Sequence, residues 1–244
     1  MNDLQWERNG HDHGARLAKD LGYVPLYLHY NSGRQVAANG REFADILERL
    51  HRAWPVPVSE LIIFGHSMGG LVARSACHYA RLADHDWLRH LRQLVFLGTP
   101  HQGAPLERAG SWVNAVLGIS PYLAPFARIG DIRSAGIKDL SRGHITEEDL
   151  ESRDQAGEFK RSMQLPAGVE CFAIAATMET VDYGMPLAGD GLVPVTSALG
   201  LHDSAALTLP IPAERQAVIF ASNHFDLLSS RRVYRQLEAW VSSV

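Results

Sequence analysis

The sequence predicts an α/β domain, a mostly parallel sheet with helices on both faces. Two observations carry that prediction. Short apolar segments alternate with segments whose apolar residues recur at helical spacing, an order that builds a parallel sheet covered on both sides. In addition, the run Leu61 to Phe64 is continuously apolar, as a strand buried on both faces should be. It passes through Gly65-His66-Ser67-Met68-Gly69 into helix-forming sequence. With 244 residues, 46% of them hydrophobic, the chain can bury the core of one α/β domain. Residues 1–244 are therefore read as a single domain, with 1–103 and 166–244 as its core and 104–165 as a helical cap or lid insertion.

Each element follows from local pattern. Residues 11–21 suit a helix and Tyr23 to Tyr30 a strand. Between Arg41 and Trp54, residues Phe43, Ile46, Leu47, Leu50 and Trp54 fall on one helical face, and Pro55 and Pro57 end the helix. Leu61 to Phe64 is the next strand and Gly70 to Leu82 the next helix. Leu94 to Leu97 reads as a strand running into Gly98-Thr99-Pro100-His101-Gln102-Gly103. Val169 to Ala176 and Ala217 to Ala221 read as later strands. Leu227 to Val241 reads as a closing helix, with Tyr234, Leu237 and Val241 at helical spacing.

The Gly-x-Ser-x-Gly between a strand and a helix has the context of a nucleophile elbow, a turn so tight that the serine backbone is strained. Glycines at 65 and 69 are expected because a Cβ at either position would collide with the neighbouring strand or helix. Net charge of -4, with Lys and Arg scattered, offers no electrostatic case for nucleic acid or an anionic membrane. Cys77 and Cys171 fall on a predicted helix and strand and read as small buried apolar residues. No stretch is long and apolar enough to span a bilayer, and the first residues lack signal-peptide character, so the chain as it stands is expected to be soluble and cytoplasmic.

Four ordered segments carry a resemblance: Gly65-His66-Ser67-Met68-Gly69-Gly70, Gly98-Thr99-Pro100-His101-Gln102-Gly103, Gly189-Asp190-Gly191-Leu192-Val193-Pro194, and Asn223-His224-Phe225-Asp226. In these the chain resembles the α/β-hydrolase superfamily, and more closely its lipase-like and esterase-like members, including proteins grouped with the GPI inositol-deacylases. The resemblance implies an α/β-hydrolase fold and a triad in the order serine, acid, histidine. Ser67, Asp190 and His224 fit that order. A serine hydroxyl is a poor nucleophile until an imidazole takes its proton, and the imidazole needs a carboxylate to fix its tautomer and stabilise its charge. The backbone N–H of Met68 is the expected oxyanion donor.

Alternatives remain at each position. Asp182 also follows the penultimate strand and is the rival acid, without the Asp-Gly-Leu-Val-Pro setting. Asp226 reads as a carboxylate satisfying backbone N–H groups at a helix start, with calcium ligation the minor reading. His66 is expected to pack beside the serine, and His101 to be a pocket-wall or structural residue. Twelve histidines invite a metal hypothesis, but His11 and His13 are two apart on a predicted helix and should face different ways. No His-Glu-x-x-His is present, so neither a metal nor an organic cofactor is expected. The insertion carries Trp112, Val113, Val116, Leu117 and Ile119 at helical spacing, and Trp112 and Leu117 are candidates for an apolar acyl pocket under a lid.

The sequence departs from the resembled family at its beginning. There, a buried strand ending in His-Gly precedes the first helix, and the loop after it supplies an oxyanion N–H. Asn2 to Trp6 looks like sequence that follows such a loop, and His13-Gly14 does not replace it. The chain is therefore expected to be N-terminally truncated, with an upstream extension encoding that strand and a possible signal or anchor. Without it one oxyanion donor is lost, which costs ~10²- to 10³-fold in rate. The Tyr23 to Tyr30 strand would also face a gap before Leu61 to Phe64. The expected activity is hydrolysis of a small-molecule or lipid-like carboxylic ester, with a lipid-like or medium acyl group. The alternatives are a non-catalytic binding module or another acyl transfer by thioesterase, amidase or acyltransferase chemistry.

Overall fold

The computed structural model describes residues 6–103, 139, 145–147, 165–182, 184 and 187–243. Among the described residues four parallel strands form one sheet in sequential order: β1 (Leu61–His66), β2 (Leu91–Leu97), β3 (Glu170–Ala176) and β4 (Gln216–Ile219). The α-helices among the described residues are α1 (His13–Leu21), α2 (Val36–Ala53), α3 (Met68–Leu82), the short α4 (Val195–Ala198) and α5 (Arg231–Ser242).

Strand alternation divides the core in two. Leu94 and Phe96 of β2 point to one face with Ala173 and Ala175 of β3, where they pack with Ala44 and Leu47 of α2 and Leu71 and Ala76 of α3. Val95 and Leu97 point to the other face with Phe172 and Ile174, against Val233, Leu237 and Trp240 of α5. Both faces being covered explains why the stretch Leu94 to Leu97 of β2 reads as an unbroken apolar run. The strand's one polar interior residue, Gln93, donates to the Trp240 carbonyl at 3.0 Å.

Helix boundaries follow capping chemistry. Asp12 caps α1 by accepting from the Ala15 N–H at 2.8 Å, and Gly22 ends it in the left-handed region at φ 78. The second helix begins at Val36, five residues before its apolar stripe becomes legible, with the Val36 N–H bonded to Asp139 Oδ2 at 3.0 Å. The closing helix begins at Arg231, later than its apolar pattern suggests, because Ser230 accepts from the Arg232 N–H and a separate 3-10 turn occupies Asp226–Leu228.

The Tyr23 to Tyr30 strand is not formed. These residues enter no ladder among the described residues, and β1 pairs only with β2. Side chains tether the segment instead: Tyr23 donates to Glu60, which also holds Arg92, and Tyr27 donates to Asp12 at 2.6 Å. An apolar and aromatic run gives a strand only when a partner supplies the ladder. Here Val24 and Leu26 remain 64% and 57% exposed.

The predicted cap, residues 104–165 with Trp112 and Leu117, lies outside the described residues apart from Asp139, Ile145, Thr146, Glu147 and Leu165. Among the described residues no helix is long and apolar enough to cross a membrane.

Candidate active site

The carboxyl edge of the sheet gathers the candidate residues because every strand runs the same way and each delivers its following loop to one rim. Ser67 follows β1, the Gly98–Gly103 loop follows β2, Asp190 lies beyond β3 and His224 beyond β4.

Ser67 has φ 56 and ψ -129, a conformation that costs a non-glycine residue on the order of 1–3 kcal/mol. The turn is pinned by the Ser67 N–H to the Leu97 carbonyl at 2.9 Å and by the Gly70 N–H to the Ser67 carbonyl at 3.1 Å. A Cβ on Gly65 would meet the Gly70 backbone at 2.5 Å, and one on Gly70 would meet Thr99 Oγ1 at 2.0 Å. Gly69 differs from the sequence expectation. Among the described residues a Cβ there would touch only Tyr30 Oη, at 3.8 Å, so the close helix–loop approach falls on Gly70 instead.

Asp190 and His224 are 2% and 1% exposed. Asp190 Oδ2 lies 2.7 Å from His224 Nδ1, while Oδ1 accepts the Leu192 and Val193 N–H groups at 2.9 and 2.8 Å. The backbone of Asp-Gly-Leu-Val thus folds round its own carboxylate and aims the second oxygen at the imidazole. The His224 N–H also bonds to the Asp190 carbonyl at 3.1 Å. An Nδ1–H donated to Asp190 leaves Nε2 as the basic nitrogen.

The rival Asp182 is exposed and accepts from the Gly184 N–H at 2.8 Å, closing its own turn. Asp226 accepts from the Asn223 N–H at 2.8 Å, so it braces the loop that carries His224.

His66 packs on His224 with ring centroids 4.6 Å apart, and its Nε2 donates to the His224 carbonyl at 3.0 Å. Burial, then the neighbouring His224, holds the His66 pKa well below the ordinary value, so the ring is a neutral brace. His101 is buried edge-on to Phe96, with Nδ1 3.2 Å from Arg74 Nη1. Burial and then Arg74 lower its pKa as well.

His11 and His13 correct a sequence expectation. His11 precedes the helix that His13 begins, so the rings meet, with His11 Nε2 2.9 Å from His13 Nδ1. His13 Nε2 then donates to the Leu227 carbonyl at 2.9 Å. Among the described residues no group of three or more His, Cys, Asp or Glu could hold a metal ion. Cys77 and Cys171 are buried free thiols, and burial raises both pKa values, that of Cys171 to about 12.

Among the described residues two buried hydroxyls near the elbow, Ser67 Oγ and Tyr30 Oη, have no hydrogen-bond partner. The sequence reading weighted the serine and passed over the tyrosine. Its only sequence signal is its place at the end of the Tyr23 to Tyr30 segment.

The family described as PGAP1-like alpha/beta domain matches residues 24–168, a stretch that includes Ser67 and stops short of Asp190 and His224. No curated protein matches the sequence. The crystal structure of the Bacillus licheniformis lipase BlEst2 in mature form is similar at a TM-score of 0.58 and 16% identity, covering 99% of this chain and 87% of that chain. The propeptide form of that lipase gives a TM-score of 0.59 at 15% identity, covering 100% of this chain and 48% of that chain. At these identities the likeness establishes an α/β-hydrolase fold.

Proposed function

This chain belongs to the PGAP1-like alpha/beta domain family, and from that premise we propose that it is a serine hydrolase of carboxylic esters. The observation that carries the reading is the strained Ser67 at the same sheet edge as the buried Asp190–His224 pair. Strain at a serine between two glycines is retained where it presents a hydroxyl above a helix N-terminus.

In this reading Ser67 Oγ attacks the ester carbonyl and His224 Nε2 takes its proton. Asp190 holds the imidazole tautomer, and the Met68 N–H receives the oxyanion. The alcohol leaves with the proton from His224, and water repeats the sequence on the acyl-enzyme. Ser67 Oγ has no hydrogen-bond partner, so the proton path to His224 is completed when substrate seats, as is common at sites without ligand. His66 supports the base by fixing the His224 carbonyl. An apolar, lipid-like acyl group is the proposed substrate class.

The test is hydrolysis of p-nitrophenyl esters of about two to about sixteen carbons, with fluorophosphonate labelling alongside. Ser67→Ala is expected to lower kcat by ~10⁴-fold or more and to abolish labelling. A wild-type protein that takes no label, or a variant that still takes it, would overturn the reading.

A further inference from the structure

Tyr30 packs its partly exposed ring against the α2–α3 side of the core, yet buries its hydroxyl without a hydrogen-bond partner. A buried hydroxyl that bonds nothing opposes folding, so its placement has to be explained by something outside the resting fold. Its position supplies the explanation. Among the described residues, and apart from the backbone of α3 itself, the hydroxyl is the one atom within 4 Å of a Cβ built on Gly69, at 3.8 Å, so it faces the first turn of α3 two residues from Ser67. Gly69 itself is partly exposed.

Building on the serine-hydrolase reading above, we propose that the Tyr30 hydroxyl donates a hydrogen bond to the substrate carbonyl oxygen as it becomes an oxyanion, as a second donor beside the Met68 N–H. When Ser67 Oγ bonds to the carbonyl carbon, the C=O π pair moves onto that oxygen and the serine proton moves to His224 Nε2. Tyr30 keeps its own proton throughout and supplies only the hydrogen bond. On collapse the pair returns, the bond to the alcohol oxygen breaks, and His224 protonates the leaving oxygen.

Three features suit Tyr30 to this role. Because its hydroxyl is bonded to nothing, no existing contact has to break when negative charge develops, which is the condition for preorganised stabilisation. Burial raises the phenol pKa above its ordinary value, so the donor stays protonated while the oxyanion forms. The Met68 N–H belongs to the helix start and the phenol approaches from outside that helix, so the two donors come from separate elements.

Tyr30→Phe tests the proposal, since it keeps the ring and removes only the unpartnered hydroxyl. Its Tm should equal or exceed that of wild type. The rate of fluorophosphonate labelling at Ser67 and kcat for p-nitrophenyl butyrate should both fall by ~10²-fold, with KM little changed. Labelling and turnover at the wild-type rate would overturn the role of Tyr30 while leaving the serine reading intact. A lowered Tm with a raised KM and unchanged kcat would also overturn it, by assigning the residue to packing. Failure of wild-type protein to label at Ser67 would overturn both.

Discussion

His13 shows how one buried side chain converts packing into pH sensitivity. Its ring is 1% exposed, lies between His11 and the Leu227 carbonyl, and stacks on Tyr234 with centroids 6.2 Å apart. Burial lowers its pKa from 6.5 to about 4, against the opposing pull of the Leu227 carbonyl. The unfolded chain therefore binds a proton that the folded chain refuses until pH falls to about 4. The neutral ring's contribution is fully present above pH 6.5 and is lost as pH falls toward about 4, an effect of roughly 3 kcal/mol. Urea midpoints at neutral pH and near the lower limit should differ accordingly, and His13→Gln should flatten that difference. A slope unchanged by the substitution would show that other groups govern acid stability. The residue scale also shows where sequence reading fails. His11 and His13 look divergent only if both are helical, and the Asp12 cap places the first of them outside the helix.

The strand–turn–helix element rests on contacts that no periodicity reveals. Gly70 lets α3 approach Thr99, whose hydroxyl also lies 3.3 Å from the Gly65 carbonyl as a hydrogen-bond donor. Gly70→Ala is expected to cost roughly 1–3 kcal/mol through overpacking and to slow labelling of Ser67 by displacing the elbow. Gly69→Ala should fold normally, since its Cβ meets only Tyr30 Oη at ordinary contact distance. Thermal midpoints of the two variants decide the matter, and equal losses would refute the packing argument. The motif was legible in sequence, but which flanking glycine bears the close approach was not, because the neighbour comes from a loop more than twenty residues away. Tyr23 to Tyr30 teaches the same lesson. Its apolar and aromatic run is genuine, but a ladder needs a partner strand, and among the described residues β1 pairs with β2 alone.

For the molecule as a whole, the sheet couples two apolar layers that share no helix. Leu71 lies at 0% exposure in the layer under α2 and α3, and Leu237 at 0% in the layer under α5. Truncation of either to alanine should cost ~2–5 kcal/mol. The two losses should add within ~0.5 kcal/mol, because the sites belong to separate apolar clusters. Both should shift one cooperative transition, and two separate transitions would mean that the sheet does not unite the layers.

The sequence by itself determined the α/β class, the alternation of strands and helices from Leu61 onward within the described residues, and the elbow serine, because these are written in local periodicity and in residue types adjacent along the chain. It also placed Asp190 and His224 after the last two strands, although their 2.7 Å approach belongs to the fold. Only the tertiary structure decided that Leu192 and Val193 clamp the Asp190 carboxylate, that His66 holds the loop of His224, that Asp182 closes a turn of its own, and that Tyr30 brings a bare hydroxyl to the elbow. Those relations join segments far apart in sequence. Their physical basis is parallel packing, which brings the loop after every strand to one edge where side chains can meet.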